Sequence, residues 1–209
     1  EVRGDMSAET DDWPILVISL GIATERRAVI ARQLASMNLT CQFIDAVDGR
    51  KGLGPEWDTA IDRQGAVARY GYPMSDGEFA CSLSHQLAYA RVLDEGLPGA
   101  IVLEDDAILT PDFAAFYRQR QFRTADFIQF FCFAARIWRG PGRRSVSQVR
   151  LHRLAENAFS AVGYSISARG AAFLALVLGN LVLALADASS ARGPLFAPHR
   201  KIYWIIAAA

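Results

Sequence analysis

Cysteine and histidine are scarce here, with three of each in 209 residues. Cys41, Cys81 and Cys132 are odd in number and far apart, without the paired spacing of a zinc site and without enough partners for a disulfide framework. That excludes a small disulfide-stapled secreted scaffold and makes a reducing, cytoplasmic compartment the expectation. Net charge is missing as well: Lys+Arg and Asp+Glu stand at 22 each, so no global field draws the chain to nucleic acid or to an anionic surface. A membrane-spanning run is also lacking. The longest uncharged apolar segment, Ala171 to Ala186, falls short of the about 20 residues a span needs, and Gly179-Asn180 interrupts it. It reads as a buried helix up to Leu178, followed by a turn into a second apolar piece, and it leaves peripheral membrane contact at the inner face open. Residues 1–12 are acidic and polar, unlike a secretory signal. They are set aside as a leader or expression remnant, expected to be disordered, and 13–209 as a single domain.

What the chain does have is apolar material for a full core, 52% of residues against 21% charged. It also has one stretch where that material runs straight into acids: Ala100-Ile101-Val102-Leu103-Glu104-Asp105-Asp106. Preceded by Leu97-Pro98-Gly99, the run reads as a strand buried on both faces. Side chains alternate along a strand, so Glu104 and Asp106 are expected on one side and Asp105 on the other. At about 3.3 Å per residue this sets two oxygen donors roughly 7 Å apart, able to share a hard divalent cation and the phosphate it carries. In open α/β sheets, ligands sit beyond the carboxyl ends of strands, where these acids would lie. The plainer alternative is a polar strand end serving solubility, although three adjacent like charges repel one another unless a cation is near.

Around this stretch the pattern alternates between strands and helices. Trp13 to Leu20 is apolar throughout and reads as a first, central strand. Thr24 can cap a helix from Glu25 to about Met37 that buries Val29, Ile30 and Leu34. Cys41 to Val47 is a second strand closed by Asp48-Gly49, completing a right-handed βαβ unit. Gly52 to Gly71 is poorly patterned, a loop with a short helix. Ser75-Asp76-Gly77-Glu78 matches a capping box opening a helix to Asp94, with Phe79, Leu83, Leu87, Ala90 and Val92 on its apolar side. Pro111 starts a short helix over 112–117. Phe127 to Phe131 and Ala161 to Ser167 are further strands, Trp138 to Arg153 is a basic loop, and 188–209 shows no periodicity.

Several polar residues gather near the expected strand ends, each with two readings. Arg26-Arg27 at a helix start could grip a diphosphate with their guanidinium forks, or be a solvated face. Asp45 or Asp48 could bond a ribose hydroxyl, while Asp48-Gly49 is equally a turn signal. Glu78 is explained as the capping partner of Ser75. Ser84-His85 resembles a nucleophile beside a base, but adjacent helix residues do not face each other. That argues against a hydrolytic triad and for a ligand contact or a satisfied buried histidine. Arg136, Arg139, Arg143, Arg144, Arg150 and Arg153 with Trp138 could line a groove for an anionic acceptor, or be a surface loop.

Taken together, five stretches resemble glycosyltransferase family 25, the lipopolysaccharide and lipooligosaccharide β-galactosyltransferases and their relatives. They are VISLGIATERRAVIARQL (Val17 to Leu34), FIDAVDG (Phe43 to Gly49), GEFACSLSHQLAYARVL (Gly77 to Leu93), AIVLEDDAIL (Ala100 to Leu109) and GYSISARGAAFL (Gly163 to Leu174), in the family's order. The resemblance implies an α/β fold of the GT-A-like, Rossmann-type mixed sheet flanked by helices. It further implies a UDP-sugar donor, usually UDP-galactose, a glycan or lipopolysaccharide acceptor, and inversion at the sugar carbon. Glu104 and Asp106 would hold Mn²⁺ or Mg²⁺. Leu20, Arg26, Arg27, Asp45, Asp48, Ser84, His85 and Asp105 would seat the nucleotide-sugar, and Asp187 would be the catalytic base. The stretch from Ala188 to Ala209 does not resemble the family's usual tail. Two other classes remain compatible with the residues: a metal-dependent nucleotide phosphoester hydrolase and a non-catalytic nucleotide-sugar-binding domain.

Overall fold

A computed structural model of the chain describes residues 12–58, 60–131, 136–139, 143–144, 150–155, 160–182 and 203–206. Strand β1 (Ile15–Ser19) leads into helix α1 (Thr24–Ser36) and strand β2 (Gln42–Asp45). Two short helices follow, α2 (Pro55–Asp58) and α3 (Arg63–Tyr70), before the long α4 (Asp76–Asp94) and strand β3 (Gly99–Glu104). Next come α5 (Pro111–Arg118), a 3₁₀ turn (Gln121–Thr124) and the strands β4 (Phe127–Gln129), β5 (Arg143–Arg144), β6 (Arg150–Arg153) and β7 (Gly163–Ser167). Helix α6 (Ala168–Val182) and strand β8 (Tyr203–Ile206) complete the described elements. The sheet runs β2-β1-β3-β7-β4-β8-β6-β5. Strands β2, β1 and β3 are parallel, β7 is antiparallel to both β3 and β4, and β6 is antiparallel to β8 and β5. This is the α/β class expected, a mixed sheet flanked by helices.

Period-two alternation in the central strands explains the layering. Ile15 and Val17 of β1, with Ile101 and Leu103 of β3, pack under α1 and α5 against Ile30, Leu34, Phe113 and Phe116. Leu16 and Ile18, with Ala100 and Val102, face the other way onto Ala88, Tyr89 and Val92 of α4 and Ala171 of α6. Both faces of these strands are therefore dry, which is why their sequences are apolar without alternation. Gly99 allows a close approach between strands: a Cβ there would sit 2.5 Å from the Ile166 carbonyl and 2.5 Å from the Trp13 ring.

Several expectations are corrected. Helix α1 opens on Thr24, one residue inside the helix, with Ala23 at the cap and no side-chain cap bond. Val29 faces solvent while Ile30 and Leu34 are buried, and on α4 the buried face is carried by Ala88 and Tyr89 in place of Ala90. Helix α6 passes through Gly179-Asn180 without a turn, since a helix interior tolerates Gly and Asn at modest cost. The basic segment expected to be a loop contributes β5 and β6, and the patternless tail contributes β8. The capping box is as expected: Ser75 Oγ accepts from the Glu78 N–H and Glu78 Oε2 accepts from the Ser75 N–H at 2.7 Å. Residues 1–11 of the expected leader lie outside the described residues.

Candidate functional site

Because β1, β2 and β3 are parallel, their carboxyl ends share one edge of the sheet. The order β2-β1-β3 makes β1 the strand at which the chain reverses its direction of winding, the position where such sheets open a crevice. A cleft of about 240 Å³ lies there, walled by the ends of β1 and β3, the loop after β2 and the first turns of α4.

On the α1 side the cleft is ionic. Asp105 is buried, accepts a 2.6 Å hydrogen bond from Ser19 Oγ and pairs with the half-exposed Arg26. Arg26 Nη2 also stands 3.7 Å from the exposed Asp106 Oδ2. Arg27 turns elsewhere: it donates to the Ser19 carbonyl at 2.8 Å, pairs with Asp45 and lies over the Phe43 ring. Asp48 sits at the exit of β2, where the Arg50 guanidinium reaches both of its oxygens at 2.8 and 2.7 Å. Those bonds and the Arg50 N–H hold the Asp48 carboxyl down at about 2. The loop approaches α4 closely enough that a Cβ on Gly49 would lie 2.4 Å from the Asp76 carbonyl.

The α4 side is built from buried polar atoms. Ser84 Oγ donates to the Ala80 carbonyl at 2.7 Å and accepts from the Val47 N–H at 2.9 Å, stapling the post-β2 loop to the helix. His85 is buried, with Nδ1 2.8 Å from Tyr164 Oη and Nε2 3.2 Å from Glu104 Oε1. Tyr164 packs in turn against Tyr89, ring centroids 6.2 Å apart, and burial pushes the Tyr89 hydroxyl up to about 12. Burial also lifts Tyr164 well above the usual phenol range, so both rings keep their protons at neutral pH. Cys81 Sγ lies 3.9 Å from the same Glu104 oxygen. Burial first, and then the Glu104 charge, raise its thiol to about 11, which argues against a nucleophilic role.

The cleft thus brings together Leu20, Arg26, Asp48, Ser84, His85, Glu104 and Asp105 of the expected residues; Arg27, Asp45 and Asp106 are not among those lining it. Strand alternation does not extend from Glu104 to Asp106, because β3 ends at Glu104 and the Ala107 N–H returns to the Glu104 carbonyl at 3.1 Å. That turn buries Asp105 and leaves Asp106 in solvent. Asp187 lies outside the described residues. Sequence reading passed over Ser19, Arg50, Cys81, Tyr89 and Tyr164. Only Cys81 left a signal, its spacing of four from His85 on one helix face; the comparison of cysteines with one another alone hid it. Cys81, His85 and Glu104 form a group able to hold a metal ion. Among the described residues no helix is long and apolar enough to cross a membrane.

Comparison with known proteins shows the family. The chain is 29% identical over 174 residues to procollagen galactosyltransferase 1 of Danio rerio, covering 75% of the chain and 27% of that protein. It is 38% identical over 93 residues to the lacto-N-neotetraose biosynthesis glycosyltransferase LgtE of Neisseria gonorrhoeae, covering 44% of the chain and 32% of that protein. It is 34% identical over 106 residues to an inactive glycosyltransferase 25 family member 3 of Mus musculus, covering 47% of the chain and 17% of that protein. The matched part therefore spans about a third or less of each of these relatives. The profile of glycosyltransferase family 25 (LPS biosynthesis protein) matches residues 12–188, most of the chain, which is therefore a member of glycosyltransferase family 25.

Proposed function

We propose that the chain transfers a hexose, galactose in the first instance, from a UDP-sugar to a hydroxyl of a lipopolysaccharide or related glycan, with inversion at the sugar carbon. The observation that supports this best is the cleft at the β1 switch point, lined both by Arg26, paired with Asp105 at the end of β3, and by Arg50, paired with Asp48 after β2. Arginine forks match phosphate oxygens, and each of these two contacts an exposed carboxylate, Asp106 or Asp48, that a diphosphate can replace. At about 240 Å³ the cleft is smaller than the about 300–1,000 Å³ of a whole ligand pocket. It suits the diphosphate and sugar, with the rest of the donor lying across the open edge.

The family's divalent cation fits the donor chemistry at this edge. Glu104 and Asp106 supply hard oxygen ligands, and Asp106 is solvent-exposed with its Arg26 contact at 3.7 Å. Asp105 is taken up by Ser19 and Arg26 and serves to orient them. When bound, Mn²⁺ or Mg²⁺ offsets the charge that develops on the departing nucleoside diphosphate. The chain's own contribution is positional. Asp105 aims Arg26, Asp48 aims Arg50, and the His85–Tyr164 pair fixes the Glu104 carboxylate. Asp187 is the proposed base that takes the acceptor proton. With a lipopolysaccharide acceptor the proposed reaction runs beside a membrane, and peripheral contact of the chain with that membrane is part of the proposal.

Release of UDP from UDP-galactose, with and without Mn²⁺ and over a panel of glycan acceptors, tests this reading. Acceptor-dependent release, abolished in a folded Asp106→Ala variant, is the expected result. Release equally fast without acceptor would identify a phosphoester hydrolase instead. The similarity to an inactive family member favours a second reading, donor binding without transfer. UDP binding by calorimetry with no turnover across the panel would establish it.

A further inference from the structure

Cys81, His85 and Glu104 present one sulfur, one imidazole nitrogen and one carboxylate oxygen, all within 4.8 Å of one another. Glu104 Oε1 is 3.2 Å from His85 Nε2 and 3.9 Å from Cys81 Sγ. Zinc bonds sulfur at about 2.3 Å and nitrogen or oxygen at about 2.0–2.2 Å, so its donors in a tetrahedron lie about 3.4–3.6 Å apart. The two separations from Glu104 differ from that by a few tenths of an ångström, and the Cys81–His85 separation, no more than 4.8 Å, closes by side-chain rotation. The scaffold is rigid: Cys81 and His85 share a face of α4 at a spacing of four, and Glu104 ends a buried strand.

The partner that would orient the histidine is in place as well. A ligating histidine is normally oriented through its other ring nitrogen, and here Tyr164 Oη stands 2.8 Å from Nδ1. With Nε2 on the metal, Nδ1 carries the ring proton and donates it to that hydroxyl. A sulfur–nitrogen–oxygen set suits borderline-soft ions and is a poor match for Mg²⁺ or Mn²⁺, which take oxygen. All three side chains line the cleft, so a fourth ligand position would face it.

We propose that Cys81, His85 and Glu104 form a three-ligand site for a divalent cation of the zinc class, its fourth position open to the cleft. Because Glu104 is also a ligand proposed for the donor's hard cation, zinc and the productive cation exclude each other, and zinc inhibits transfer. That consequence rests on the proposed function; the binding does not.

Calorimetry with zinc alone on the full chain is expected to show one ion per chain. Tyr164→Phe should weaken uptake about 10–100-fold, Cys81→Ser should weaken it further, and Asp106→Asn should leave it unchanged. Cobalt(II) as a probe should give a sulfur-to-metal absorption band that Cys81→Ser abolishes. Circular dichroism of the Cys81→Ser variant serves as the check that it is folded. Absence of zinc uptake, or uptake that survives Cys81→Ser, overturns the proposal. So does uptake lost in Asp106→Asn and kept in Cys81→Ser, which would move the ion to the acids. Tight zinc binding without inhibition of transfer would leave this site standing and remove Glu104 from the donor's cation site.

Discussion

On the α1 side of the cleft, charges are paired with one another near solvent, whereas on the α4 side polar atoms are linked in a buried chain. Arg26 is half-exposed and shared between Asp105 and Asp106. The Tyr89–Tyr164–His85–Glu104 series is enclosed by the helix and the sheet, with all but Glu104 buried. Exposed ion pairs are worth about 0–1 kcal/mol, so an incoming phosphate can replace the exposed Asp106 on Arg26 at little cost while the buried Asp105 keeps its hold. A buried hydroxyl or ring nitrogen left without its partner costs about 1–3 kcal/mol, so the α4 wall holds its geometry whatever the cleft contains. One wall is exchangeable and the other is fixed.

The largest expected effect comes from breaking the fixed wall. Tyr164→Phe removes the hydroxyl bonded to His85, and the buried ring nitrogen then loses its partner in the interior. Stability should fall by about 1–3 kcal/mol in urea unfolding. A loss under about 0.5 kcal/mol would show that this buried bond is ornamental and the contrast between the walls false. A smaller and sharper test lies within the α1 wall. Arg27 holds the Ser19 carbonyl, pairs with Asp45 and covers Phe43, while its neighbour Arg26 reaches into the cleft. Arg27→Ala should cost about 1 kcal/mol of stability. Arg26→Ala should weaken UDP binding several-fold, which Arg27→Ala should not, and should also cost stability because the buried Asp105 carboxylate is left to Ser19 alone. Equal effects of the two on UDP binding would erase the distinction.

The contrast also marks what a sequence can display. Apolar runs announce doubly buried strands, and Ile101 to Leu103 and Ile15 to Ile18 were legible for that reason. The capping box at Ser75 and Glu78 was legible because its partners lie three residues apart. The short strands β5, β6 and β8 were not, because ladder pairing between distant segments selects their conformation over any local preference. At the site, Glu104 to Asp106 stood out as a local cluster. Tyr164 could not, since it meets His85 across 79 residues of chain and reads by itself as an ordinary strand aromatic. Where β3 stops also decides which acid is buried, and a turn that begins one residue after Leu103 carries no mark that distinguishes it from two more strand residues.

The smallest effect tests the exchangeable wall at its outer end. Asp48 titrates at about 2, below its ordinary 3.8, because the Arg50 guanidinium and N–H bond the charged form. A carboxyl depressed in the folded state adds stability above its unfolded pKa, and that contribution is lost as pH falls from about 4 through about 2. The pair is at the surface, so the stability change will be slight and the titration itself is the better readout. Carbon-detected NMR of Asp48 should show the low value in the free chain and a return toward 3.8 in Arg50→Ala. If Arg50 is exchangeable as argued for the α1 wall, saturating UDP should draw the guanidinium away and raise the Asp48 value in the unmodified chain too. A titration curve indifferent to UDP would leave Arg50 fixed to Asp48 and confine phosphate recognition to Arg26.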